Sequence, residues 1–181
     1  AAPAQLHGYE DNATTAPGQL RVNDMHGLAP PGGLSPATAV FGVVGKPVSQ
    51  SWSPRVHGMA LKAAKLDAVY LAFEPDDIAS FLSLADDACF RGFSITAPFK
   101  AGALIQSRSG DSLSERAEAA NTLVREKDGW RAFNTDVPAI RETLERAMQM
   151  HSREPGRPVD LAVATGLVLG TGGAAAAACC A

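Results

Sequence analysis

The chain has 181 residues, 46% hydrophobic and 19% charged, with 16 Lys and Arg against 19 Asp and Glu for a net charge of −3. A folded core is within reach of that composition, and the lack of any Lys/Arg run argues against nucleic acid as a partner. Cys89, Cys179 and Cys180 show no C-x-x-C spacing, and His7, His26, His57 and His151 are scattered, a pattern that fits a reducing compartment and no structural metal.

In chain order, residues 1–25 are polar and rich in turn formers, and the opening "AAPAQLHG" lacks the basic and apolar regions of a secretory leader. Residues 26–38, "HGLAPPGGLSPAT", have the composition of a linker. "AVFGVVG" is an apolar run suited to a buried strand. The next segment predicts a helix with Val56, Met59, Ala60 and Ala63 on its apolar face. "AVYLAF" predicts a second strand, and "PDDIASFLSLA" a helix opened by Pro and acids. "GFSIT" predicts a third strand, cut by Pro98, with a helix resuming near Phe99 and another around Ser114 to Ala119.

"NTLVRE" and "WRAFN" flank Lys127-Asp128-Gly129, a hairpin signal. Pro138 to Met150 predicts a helix with Ile140, Leu144, Ala147 and Met148 on one face, and "SREPGRP" a loop. "GLVLGTGGAAAAA" then reads as strand, Gly turn and helix start. The uncharged stretch Leu161 to Ala181 is long enough to span a bilayer, but its glycines and lack of flanking anchors favour that buried strand and turn. Strands alternating with helices predict an α/β fold, an open and mostly parallel sheet with flanking helices, followed by the first strand, Gly loop and helix of a Rossmann domain.

Candidate chemistry gathers in five places. In "KPVSQSWSP", Pro54 suits the first helical position and makes Ser53 the N-cap. Ser51 and Ser53 at i, i+2 point the same way in an extended segment. Two hydroxyls at a helix N-terminus make a seat for a carboxylate, against the plainer reading of a capping serine with Ser49 and Ser51 in the loop. "SITAPFK" places Thr96 at a strand's C-terminal end, where open α/β sheets bind ligands, and Lys100 just beyond; a solvated lysine is the plainer alternative. Asn121 in "AANTLV" sits at a strand start and is otherwise a turn residue. Asn134, Thr135 and Asp136 in "FNTD" end a strand, where Thr135 or Asp136 could simply cap the next helix. Gly170-x-Gly172, with Gly173, Ala174 and Ala175 following, has the strand-before, helix-after setting of a dinucleotide loop.

In this order, "GKPVSQSWSP", "FSITAPFK", "AANTLV", "FNTD" and "LGTGGAAAA" resemble the motifs of the shikimate dehydrogenase family from about Val40 onward. The resemblance implies NADPH-dependent reduction of 3-dehydroshikimate to shikimate, a small-molecule substrate, and neither nucleic acid nor membrane as partner. It implies Lys100 and Asp136 as the catalytic pair and Ser51 and Ser53 on the substrate carboxylate. Thr96, Asn121 and Asp136 would bind ring hydroxyls, and Gly170, Gly172, Gly173 and Ala174 the NADP. A quinate/shikimate dehydrogenase is the close variant, and a catalytically silent shikimate-binding fragment the alternative from another class. Gln50 stands where many members have His, Ser94 and Gly58 where they have Asn, and Glu118 and Ala139 where they have Gly.

Upstream, "TTAPGQLRV" is similar to the tail of type I 3-dehydroquinate dehydratase. Fused dehydratase–dehydrogenases join that tail to the dehydrogenase through a linker. The implied organisation is a dehydratase tail over 1–25, a linker over 26–38, a shikimate-binding domain over 39–150 and the start of an NADP-binding domain over 159–181. On that reading the chain is a segment of a bifunctional polypeptide of a bacterial cytoplasm or a plastid.

Overall fold

The computed structural model describes residues 27–86, 89–151 and 165–181. The strands are β1 (Ala39–Val44), β2 (Ala68–Phe73), β3 (Phe90–Ile95), β4 (Ser109–Gly110), β5 (Thr122–Glu126) and β6 (Gly129–Phe133). The helices are α1 (Ser53–Ala63), α2 (Ile78–Leu84), α3 (Lys100–Ile105), α4 (Ser112–Arg116), α5 (Asp136–His151) and α6 (Gly173–Cys180). The strand order is β2-β1-β3-β5-β6-β4. The expected α/β class with a mostly parallel sheet is what forms. The chain divides into two compact units, Ala1–Ser94 and Ile95–Ala181.

In the first unit β1 and β2 run parallel, with Ala39 opposite Ala68 and Val44 opposite Phe73. Thr38 locks the start of that register: its hydroxyl donates to Asp67 Oδ1 at 2.7 Å while Ala39 N–H donates to the Asp67 carbonyl. The core is aromatic. Phe93 meets Phe81 at 5.1 Å and Phe73 edge-on at 5.9 Å between ring centroids, geometries that favour the ring quadrupoles. Gly42 lies under this layer, where an added Cβ would sit 2.5 Å from the Phe73 ring and 2.6 Å from the Leu71 carbonyl oxygen. Only a residue without a side chain fits that close approach.

α1 forms where expected but presents a different face. Val56 and Met59 are 58% and 66% exposed, and Ala60 and Ala63 are exposed beside them. The face toward the sheet carries Leu61, packed on Val43, Val48 and Tyr70, and beside it His57, itself exposed, stacks its ring on Tyr70 at 4.3 Å. Two apolar stripes compete on this helix. The sheet selects the one that brings His57 and Leu61 onto Tyr70.

In the second unit β5 and β6 form the expected hairpin, antiparallel from Thr122 opposite Phe133 to Glu126 opposite Gly129, with Gly129 at φ +140°. β4, too short to read from sequence, pairs parallel with β6. α5 also forms where expected, yet its apolar face is covered unevenly, with Ile140 and Met148 half-buried and Leu144 and Ala147 exposed. Val137 and Ile140 pack with Ala117 and the fully buried Ala177 of α6, while Leu144 is exposed.

α4 begins on Asp111, whose side chain accepts from Ser114 N–H at 2.7 Å. It ends with Ala119 N–H donating to the Ser114 carbonyl and Glu118 N–H to the Glu115 carbonyl. That pair is the Schellman motif, whose C′ position favours Gly, and Glu118 occupies it at φ +48°. A left-handed side chain is strained there. Glu118→Gly is therefore expected to raise stability by about 0.5–1 kcal/mol, the relieved strain being partly offset by unfolded-chain entropy. A rise in the urea midpoint checks this, and a lower midpoint would contradict it.

The predicted strand over "GLVLG" does not form. Residues 165–170 carry no strand, and Leu167 and Leu169 are 86% and 88% exposed. A strand exists only as part of a ladder, and no described strand pairs with this segment. The Gly turn and helix after it do form, with α6 running from Gly173. The predicted loop "SREPGRP" lies outside the described residues. No helix among the described residues is long and apolar enough to cross a membrane.

Candidate active site

Lys100, Asn121 and Asp136, far apart in sequence, meet in the second unit. Lys100 Nζ donates to Asp136 Oδ2 at 2.6 Å, and Asn121 Nδ2 donates to Asp136 Oδ1 at 2.8 Å. Both carboxylate oxygens are thus held, which fixes the plane of the carboxylate. The side chains of Lys100 and Asp136 are 15% and 29% exposed, so the pair is mostly shielded yet still reachable. An ammonium has three N–H donors; with one committed to Asp136, the others remain for a ligand oxygen.

The amide orientation of Asn121 follows from its partners. Its Oδ1 accepts from Thr135 N–H at 3.0 Å and from the Thr122 hydroxyl at 3.0 Å, while its Nδ2 donates to Asp136 and to Thr135 Oγ1 at 2.8 Å. A backbone N–H can only donate and a carboxylate only accept, so the reversed amide is excluded. The backbone of Asn121 is fixed as well. Its N–H donates to the Phe133 carbonyl, and its own carbonyl accepts from Ile95 N–H at 2.7 Å.

Sequence reasoning missed the group that frees Asp136. Neither Thr135 nor Asp136 caps α5 with its side chain. Asn134 does so, its Oδ1 accepting from Asp136 N–H at 3.0 Å and Val137 N–H at 3.2 Å. Its Nδ2 donates to the Ala119 carbonyl at 2.9 Å, and the residue is buried. The acceptor the helix start needs therefore comes from Asn134, and the Asp136 carboxylate stays available to Lys100. The available signal was an Asn two residues before an Asp at a strand-to-helix junction, where Asx side chains commonly bond forward.

Thr96 follows β3 directly. Its carbonyl accepts from Phe99 N–H at 3.0 Å, closing the tight turn that starts α3 with Lys100. The Lys100 carbonyl in turn accepts from Ala120 N–H at 2.9 Å, so main chain ties Lys100 to the segment that carries Asn121.

Ser49, Ser51 and Ser53 belong to the first unit. The expected extended segment is replaced by a turn, in which Ser51 N–H donates to the Val48 carbonyl at 2.9 Å. Ser53 is not the N-cap. α1 begins at Ser53, Trp52 precedes it in helical conformation, and the Ser51 hydroxyl oxygen accepts from Ser53 N–H at 3.2 Å. The N-capping role therefore shifts two residues upstream, because the chain is already helical at Trp52. The hydroxyls still lie at a helix N-terminus, where an anion is favoured.

Glu74, also missed, organises this loop. Its Oε1 accepts from Val48 N–H at 2.5 Å and from Ser49 N–H at 2.6 Å. Those two backbone donors hold its carboxyl below the ordinary glutamate range. Beside it the Lys46 ammonium pairs with Asp76, whose carboxyl is lowered by that hydrogen bond and charge.

Gly170 adopts φ +142°, a conformation that disfavours a side chain. An added Cβ at Gly172 would meet nothing within 4 Å, leaving its backbone open to close approach. Gly173 opens α6, and a Cβ there would come within 3.0 Å of the Lys100 Cβ and Cδ. The first-turn N–H groups of α6, Ala174 among them, have no intrahelical acceptor. A Gly-rich backbone without obstructing side chains, leading into a helix N-terminus, fits the pyrophosphate of a dinucleotide.

Residues 43–123 match the model of the shikimate dehydrogenase substrate-binding domain. The chain is 36% identical over 171 residues to the bifunctional 3-dehydroquinate dehydratase/shikimate dehydrogenase, chloroplastic, of Arabidopsis thaliana, covering 91% of this chain and 28% of that protein. It is 39% identical over 146 residues to the shikimate dehydrogenase (NADP(+)) of Anaeromyxobacter sp. strain K, covering 78% of this chain and 48% of that protein. The shikimate 5-dehydrogenase of Thermus thermophilus, solved in complex with shikimate, superposes with a TM-score of 0.62 at 32% identity. That match covers 77% of this chain and 50% of the other. The chain thus spans half or less of the length of these relatives. The motifs, the fold and these likenesses agree: the chain belongs to the shikimate dehydrogenase family, through a substrate-binding domain matched over residues 43–123.

Proposed function

We propose that the chain is the substrate-binding part, with the opening of the nucleotide loop, of an NADP-dependent shikimate dehydrogenase that reduces 3-dehydroshikimate to shikimate. The observation that carries this reading is the closed set Lys100–Asp136–Asn121, a cation and a carboxylate fixed by an amide, with ammonium protons to spare. Gly170, Gly172, Gly173 and Ala174 would hold NADPH, which would supply hydride chemistry when bound. Lys100 delivers a proton to the oxygen as it becomes an alkoxide, so the C=O becomes CH–OH. Asp136 holds the ammonium in place and accepts from a ring hydroxyl, while Asn121 and Thr96 bind ring hydroxyls as donors or acceptors. Ser51 and Ser53 take the substrate carboxylate at the N-terminus of α1.

The resemblance of residues 14–22 to a dehydratase tail, and the bifunctional relative, support a fused dehydratase domain over the upstream side. The same reading assigns 1–25 to that tail, 26–38 to a linker, 39–150 to shikimate binding and 159–181 to the start of the NADP-binding domain. The chloroplastic relative favours a plastid, and the bacterial relatives a bacterial cytoplasm.

For the isolated chain a second reading is favoured by its span of half or less of the relatives' length: it binds shikimate without turning it over. Calorimetry with shikimate and NADP, together with an assay of NADPH-dependent reduction of 3-dehydroshikimate, separates these. Shikimate binding without reduction is expected of this chain, and absence of shikimate binding would sink both readings.

A further inference from the structure

We propose that Glu74 is the positioning residue of the serine seat: from the end of β2 it clamps the backbone of Val48 and Ser49 and so sets where Ser51 and Ser53 present their hydroxyls. This rests on the reading of those serines as the carboxylate seat.

Two consecutive N–H groups converge on one carboxylate oxygen at 2.5 and 2.6 Å. Convergent backbone donors of this kind form an anion nest, and here the protein fills the nest itself. Val48 is buried in the cluster with Val43 and Tyr70, so the loop is anchored on its inner side. From Val48 the order passes on by contact. The Val48 carbonyl accepts from Ser51 N–H, and the Ser51 hydroxyl oxygen accepts from Ser53 N–H. The Gly45 N–H donates to the Phe73 carbonyl at 3.1 Å, extending the β1–β2 ladder to the residue before Glu74. The ion pair of Lys46 with Asp76 closes the same end.

The arrangement has a consequence for ligand selection. Because Glu74 occupies the nest, an incoming carboxylate is received by the serine hydroxyls and the helix start. Glu74 acts through the loop, and its negative charge is stabilised by the donors it consumes.

The charge requirement gives a pH signature. A carboxyl held below its ordinary range orders the loop fully above that range and releases it as pH falls through the lowered value. The protection of the Val48 and Ser49 amides, taken as exchange relative to the intrinsic rate at each pH, should therefore fall in acid in the native chain. In Glu74→Gln, which keeps an acceptor oxygen but cannot ionise, exchange should be somewhat faster at neutral pH and insensitive to acid beyond the intrinsic chemistry.

The test combines that exchange measurement with calorimetry of shikimate on the native chain, Glu74→Ala, Glu74→Gln and Ser51→Ala. Loss of hydrogen bonds to a charged acceptor predicts about tenfold weaker shikimate binding for Glu74→Ala, with Glu74→Gln between it and the native chain. Thermal unfolding separates a local release from general destabilisation: exchange confined to Val48 through Ser53 supports the clamp. Native affinity in Glu74→Ala alongside loss in Ser51→Ala overturns the clamp and leaves the seat standing. Native affinity in both overturns the seat. Unchanged Val48 and Ser49 exchange in Glu74→Ala overturns the clamp whatever the affinity, as does tighter shikimate binding, which would make Glu74 a competitor for the nest.

Discussion

Lys100→Ala is expected to lower the turnover of 3-dehydroshikimate by the complete dehydrogenase about 10²–10⁴-fold, the range a positioned general acid supplies. The substrate's Michaelis constant should change by no more than a few fold, because the proposed function gives its carboxylate and ring hydroxyls to other residues. Such a split marks an interaction made mainly in the transition state. The structure explains why one residue carries so much. Lys100 is the cation bonded to Asp136, and Asp136 has its other oxygen committed to Asn121. Removing the ammonium leaves a mostly shielded carboxylate without its cation. Steady-state kinetics at fixed pH checks the expectation, with Lys100→Met as a companion that keeps the stem packed against Gly173. Turnover within a few fold of native in both variants would remove Lys100 from the chemistry.

Asn134→Ala should have the largest effect on stability of any change at the site, about 2–4 kcal/mol, from lost hydrogen bonds at a buried position. The substitution strands Asp136 N–H, Val137 N–H and the Ala119 carbonyl together. Truncation also opens a void next to the chain that carries Asn121. Asn134→Asp distinguishes the two halves of the role. It keeps an acceptor for the helix start, where negative charge is favoured, but sets an oxygen against the Ala119 carbonyl. Its stability should fall between native and Asn134→Ala. Urea unfolding followed by far-ultraviolet circular dichroism measures both. Equal stability of native protein and Asn134→Ala would mean that the cap has another source.

Much of this was legible in the residues. The β-rich runs, the Asp-Gly hairpin and the Gly loop before an Ala-rich helix carry their own periodicity and turn chemistry, so their elements formed as read. Lys100, Asn121 and Asp136 were identifiable as candidates because each follows or precedes a strand end inside a recognisable motif. Three features misled. Val56 and Met59 follow helical spacing as well as Leu61 does, and periodicity cannot say which stripe the sheet will cover. "GLVLG" has strand composition, but composition does not supply a neighbouring strand. Ser53 before Pro54 has the signature of an N-cap, yet the chain was already helical at Trp52.

The sequence by itself determined the order of elements, the family motifs and the identity of the groups able to do chemistry, because those depend on local spacing and residue type. Only the tertiary structure decided that Asn134 rather than Asp136 satisfies the start of α5, and that Glu74 holds the serine loop. One is a pairing across a long separation in the chain, and the other a choice between nearby side chains that could each offer the helix start an acceptor. Distance and burial settle such choices. Ser51 and Ser53 show the difference: their residue type made them candidates for an anion seat, while the bonds from Val48 and Ser49 N–H to Glu74 emerge only in the fold.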